Sequence, residues 1–172
     1  MQNSKLKIKN SKLQRGYSLI ELALYMGLLS ILIVIMVELF VSSLKVQLDS
    51  QSASSVQQDA RYILNKLSFD LTNAQAINLP LSLGETGVSL NIISSSGSNY
   101  VYNIDNGNLM LTEGGISNLL NSAETTVSNL SFQKLGNGFG KDSVQIKFTV
   151  TSKTKRTQGA EEKDFQTTIL LR

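Results

Sequence analysis

Glu21 is the residue whose position asks for a chemical explanation. It interrupts an apolar run from Leu19 to Val41 in which Glu38 is the only other charged residue. A carboxylate among apolar helices is costly unless a partner meets it, so a chain that keeps one there has a use for it. The rest of the inventory is poor in reactive groups. The chain has no His and no Cys, which removes histidine bases and ligands, thiolate nucleophiles and disulfides. Ser, Asp, Glu, Lys and Tyr remain, but hydrolase and metalloenzyme constellations lose their central members. No pair of residues can be nominated for an anchored hydrolase. The composition argues against an enzyme, and no cofactor or metal is expected.

Three other stretches could bind something. Asp105 and Asn106 carry oxygens that a Ca²⁺ ion could use, but the ligand spacing of a calcium loop is absent and turn chemistry accounts for them. Gly136, Gly138 and Gly140 form a Gly-x-Gly-x-Gly run that follows a strand pattern without opening a helix, so it reads as a loop and not a phosphate cradle. Lys153, Lys155 and Arg156 form the basic half of a charged hairpin tip, completed by Glu161 and Glu162. With three cations and no interleaved aromatics, this is a solvated turn first and a ligand contact second.

The elements that position Glu21 begin with the leader. Lys and Arg outnumber Asp and Glu by 16 to 13, yet Lys5, Lys7, Lys9, Lys12 and Arg15 all precede Gly16 and no acid does. From Tyr17 onward 11 basic residues face 13 acidic ones, so the basic character belongs to the leader and gives no support for a nucleic-acid partner. Leu19 to Val41 then supplies fifteen Leu, Ile, Val or Phe residues in 23. Their insertion into lipid is worth about 5 to 9 kcal/mol, against about 2.5 to 3.5 for a charge at mid-membrane, so insertion wins with Glu21 and Glu38 near the interfaces. The basic leader implies a single-pass anchor in the cytoplasmic membrane, N-terminus inside and the remainder translocated. The run exceeds the apolar core of a cleaved secretory signal, and no small-residue cleavage site follows it. Gly27 and Ser30 within the run permit close helix packing, although a membrane helix tolerates them without that role.

Arg15-Gly16-Tyr17-Ser18-Leu19-Ile20-Glu21 followed by an apolar helix resembles the cleavage and methylation segment of type IV prepilins and of type II secretion pseudopilins. The resemblance implies that a prepilin peptidase cuts between Gly16 and Tyr17 on the cytoplasmic side and methylates the new amine of Tyr17. Glu21 then becomes the fifth residue of the mature chain, where the family carries its assembly glutamate. Its implied partner is the Tyr17 amine of a neighbouring subunit. Many major pilins carry a proline where this chain has Glu38. The only proline here is Pro80, which favours a minor pilin or pseudopilin. The distal part resembles J-type minor pseudopilins more loosely, in Arg61 to Ala74, Tyr102 to Leu109 and Phe165 to Arg172. The implied partners are the peptidase, other pilin or pseudopilin subunits, an inner-membrane assembly platform and membrane lipid. The implied destination is an extracytoplasmic filament or pseudopilus.

Beyond Val41 the pattern becomes one-sided. Val56, Ala60, Ile63, Leu67, Leu71, Ala74 and Ile77 follow steps of three and four, predicting an amphipathic stalk helix that ends at Asn78 and Pro80. The serine-rich stretch 50 to 55 is a weak helix former, where the helix could bend or fray. Strand signals follow in Val88 to Ile92, Tyr100 to Ile104, Leu109 to Thr112, Val127 to Leu135, Ser143 to Ser152 and Phe165 to Leu171. Glu113 to Thr126 reads as a loop with one helical turn. The expected fold is therefore α+β and pilin-like: a leader at 1–16, a membrane and assembly helix at 17–41, a stalk helix at 42–79 and a β-rich head at 80–172, with an antiparallel sheet of about six strands. The expected function is that of a subunit of a type IV pilus, competence pilus or secretion pseudopilus. The alternative is an anchored adhesin or DNA-capture subunit that binds through its head loops.

Overall fold

The computed structural model describes residues 16–136 and 140–172. The leader residues 1–15, and residues 137–139 of the glycine-rich loop with Gly138 among them, lie outside the described residues. Contacts divide the chain into two units, one ending at Ser43 and one running from Leu44 to Arg172.

Helix α1 spans Leu19–Thr72. Its first residues, up to Ser43, are exposed throughout, which leaves Leu, Ile, Val, Met and Phe side chains with no cover from this chain. That part is long and apolar enough to cross a membrane, with a mean hydropathy of 2.5 over its best window, and fits a single-pass membrane anchor.

In the second unit the helix buries one stripe: Ser52, Ser55, Val56, Ala60, Ile63, Leu67, Asp70 and Leu71. Steps of three and four keep these positions on one face. The helix runs without a break or frayed turn through residues 50 to 55. Ser52 and Ser55 are buried on the stripe, and the Ser55 hydroxyl donates to the Ser52 carbonyl at 3.1 Å, so the serine hydroxyl bonds within the helix instead of breaking it.

The stalk helix also ends earlier than its pattern suggests. It stops at Thr72, and Ala74–Leu79 is strand β1. Asn73 closes the helix by donating its backbone N–H and its side-chain amide to the Phe69 carbonyl, at 3.1 and 2.8 Å. Ala74 and Ile77 look helical because they are three apart. The true cause of that spacing is a register irregularity between Ala74 and Ala76, which stretches the strand's usual period of two.

Among the described residues eight further strands follow: β2 Thr86–Gly87, β3 Leu90–Ser94, β4 Asn99–Asp105, β5 Asn108–Glu113, β6 Ile116–Leu119, β7 Thr125–Leu135, β8 Ser143–Ser152 and β9 Glu162–Leu170. They form two antiparallel sheets, β1-β3-β4-β5-β6 and β2-β7-β8-β9, in place of the single sheet of about six strands. Two of the extra strands are short. The predicted loop at 113 to 126 instead contains β6, because Gly114 and Gly115 take φ of 58° and 87° and fold Glu113 back onto Ile116. The turn at Asn106 and Gly107 (φ 49° and 76°) joins β4 to β5 as its sequence implies.

The sheets meet where the Val127 N–H donates to the Gly107 carbonyl at 2.8 Å. Their inner residues share one core with the helix stripe: Leu90, Ile92, Tyr102, Leu109, Val127, Phe132 and the alternating Val144, Ile146, Phe148 and Val150. The fold is α+β, with the second part of a long N-terminal helix packed on antiparallel sheets.

Candidate functional site

Gly16, Tyr17 and Ser18 precede the helix and are exposed. The Ser18 carbonyl accepts the Leu22 N–H at 3.0 Å, which makes Ser18 the cap and Glu21 the third residue of the first turn. A Ser followed three residues later by Glu is the spacing of a capping box, a signal the sequence reading passed over. The partial positive charge at a helix start favours the carboxylate there, so Glu21 has a local reason for its place. Its Oε1 also accepts the Tyr25 hydroxyl at 3.1 Å.

Neither interaction buries the carboxylate, because Glu21 and its surroundings are exposed in the chain alone. Nor does packing within the chain account for the nearby glycines. A Cβ built on Gly16 or Gly27 meets nothing within 4 Å. The segment therefore combines an open backbone between Gly16 and Tyr17, a carboxylate in the first helical turn and a long uncovered apolar surface.

The basic residues of the second unit are divided in their duties. Arg156 is largely buried and engaged: it bonds Glu161 at 2.9 Å, Asp49 at 3.4 Å and the Gly159 carbonyl at 3.1 Å, which ties the β8–β9 connection to α1. Lys153 and Lys155 are exposed. Lys155 and Arg156 line a recess of about 100 Å³ together with Lys45, Leu48, Asp49, Thr157 and Gln158. In the glycine loop, Gly136 stands so close to Asp142 that a Cβ would lie 2.7 Å from its carboxylate. Asp142 in turn pairs with Lys134 at 3.2 Å. That end of the loop is used in packing.

Two helix carboxylates outside the sequence motifs are held from the sheet side of the core. Asp70 is buried on the apolar stripe, pairs with Lys66 at 2.9 Å and accepts the hydroxyl of the fully buried Tyr102. Burial, then the bond to Asp70, raise the Tyr102 hydroxyl well above the ordinary tyrosine range. Lys66 also lies over the Tyr100 ring, 5.5 Å from its centre. About three turns earlier, Asp59 accepts the Ser122 N–H at 2.9 Å, the Ser122 hydroxyl at 2.7 Å and the Thr125 hydroxyl. The available signal was a carboxylate at a core-facing position of a helical stripe. Asp70 occupies such a position between Leu67 and Leu71.

Among the described residues no group of three or more acidic side chains is placed to hold a metal ion. Searched against models of protein families, curated proteins and solved structures, the chain matches none.

Proposed function

We propose that this chain is a pilin-like subunit, a minor pilin or pseudopilin, cut between Gly16 and Tyr17, methylated on the new amine and assembled through Glu21. The observation that carries the reading is the segment Gly16 to Glu21 at the mouth of an apolar helix whose side chains find no cover in their own chain. An exposed, non-helical peptide bond suits a peptidase, and an uncovered helix suits first lipid and then neighbouring helices. In that bundle Glu21 moves from solvent-like surroundings into an apolar one and needs a cation. The Tyr17 amine of an adjacent subunit supplies it, so the pair fixes axial register as the subunit leaves the membrane.

The head contributes surface, not reaction chemistry. Of the three cations that a ligand-binding rival would use, Arg156 is already committed to Asp49 and Glu161. The test is the intact mass of the protein extracted from membranes of cells that carry a prepilin peptidase. The expected product lacks residues 1–16 and gains one methyl group. An uncut amino terminus refutes the reading.

A further inference from the structure

We propose that the recess lined by Lys45, Lys155, Thr157 and Gln158 docks the phosphate of an anionic phospholipid head group. The inference rests on the reading that residues 19–41 anchor the chain in a membrane. Lys45 follows Val41, the last residue of the apolar run, by only four positions, which assigns it to the head-group layer of the lipid. Lys155 lies more than a hundred residues away in sequence, yet it lines the same recess.

The recess is held in shape by Arg156. That guanidinium bonds Asp49 on the helix and Glu161 on the loop, so Asp49, the one acid lining the recess among the described residues, already has a cationic partner. Among the described residues no salt bridge engages Lys45 or Lys155. Besides Leu48, the remaining lining residues, Lys45, Lys155, Thr157 and Gln158, carry two ammonium groups, a hydroxyl and an amide, all able to donate to phosphate oxygens. Lys153 is equally exposed but does not line it. The site thus differs from a diffuse basic loop in which residues it uses.

The test uses the full chain in vesicles of phosphatidylcholine, with or without about one third phosphatidylglycerol, and reads hydrogen exchange of the backbone amides 154–159. With each lysine near an anionic surface worth about fivefold in binding, the anionic vesicles are expected to slow exchange about fivefold or more. Lys45→Gln with Lys155→Gln abolishes the slowing, Lys45→Arg with Lys155→Arg keeps it, and Lys153→Gln leaves it intact. Unchanged exchange in β7 and β8 shows that the variants remain folded.

Equal exchange in both vesicles, or slowing that survives the double glutamine variant, overturns the proposal. So does an equal loss with Lys153→Gln, which means diffuse attraction, or equal slowing by inorganic phosphate over phosphatidylcholine alone, which means a free-anion site. Failure of the chain to float with either vesicle refutes the anchor reading, and the proposal falls with it. Flotation with both and no difference in exchange refutes the proposal alone.

Discussion

The two units of this protein treat a helical carboxylate in opposite ways. In the head, Asp59 and Asp70 lie on α1 and are met by hydroxyls, an N–H and a lysine from the same chain. In the apolar segment, Glu21 has the helix start and Tyr25, and Glu38 lies on an exposed face. The head supplies partners for these two carboxylates from its own chain, whereas the apolar segment leaves its burial to its surroundings. Lipid can cover the leucines but offers no fixed cation to Glu21, which is why the proposed function gives that part to a neighbouring subunit.

Matched substitutions test this contrast most severely. Phe132→Ala empties a fully buried site and is expected to cost about 3 to 5 kcal/mol of head stability. Leu32→Ala, on the uncovered helix, should leave it within about 0.5 kcal/mol. Urea unfolding of the full chain in detergent, followed by tyrosine near-ultraviolet circular dichroism, measures both. A comparable loss from Leu32→Ala would break the division.

Glu21→Leu should leave head stability and membrane insertion intact while co-assembly with partner subunits falls about a hundredfold, as for a broken buried pair of about 3 kcal/mol. Its counterpart Asp70→Ala should do the reverse: about 2 to 4 kcal/mol of head stability lost, since Lys66 and the Tyr102 hydroxyl lose their partner. Normal co-assembly of Glu21→Leu would remove the reason for assigning that carboxylate to an interface.

A pH series sharpens the same point. Burial and Asp70 raise Tyr102 above its ordinary value of 10.0, so the folded state holds this proton more tightly than the unfolded state. The resulting stability is complete below about pH 10 and declines as pH rises further, because the unfolded chain ionises first. Tyr102→Phe should flatten that alkaline decline at a cost of about 1 to 2 kcal/mol near neutrality. An unchanged alkaline slope would show that Tyr102 does not govern it. The smallest effect expected is that of Arg156→Ala, about 0.5 to 1 kcal/mol in the same unfolding assay, because its partner Asp49 is partly solvated.

Local pattern was sufficient wherever one short-range rule acted alone. The apolar run, the stripe Val56 to Leu71, the Asn106-Gly107 turn and the alternation in Ser143 to Ser152 were all legible, since each expresses a period or a backbone preference of adjacent residues. Where two periods coincide, the sequence alone misleads: Ala74 and Ile77 suit a helix and a bulged strand equally, and only pairing with β3 chooses the strand. The second sheet, the hold of the head on Asp59 and Asp70, and the meeting of Arg156 with Asp49 were decided by tertiary structure. Each depends on contacts between residues tens of positions apart, for which the local sequence carries no period.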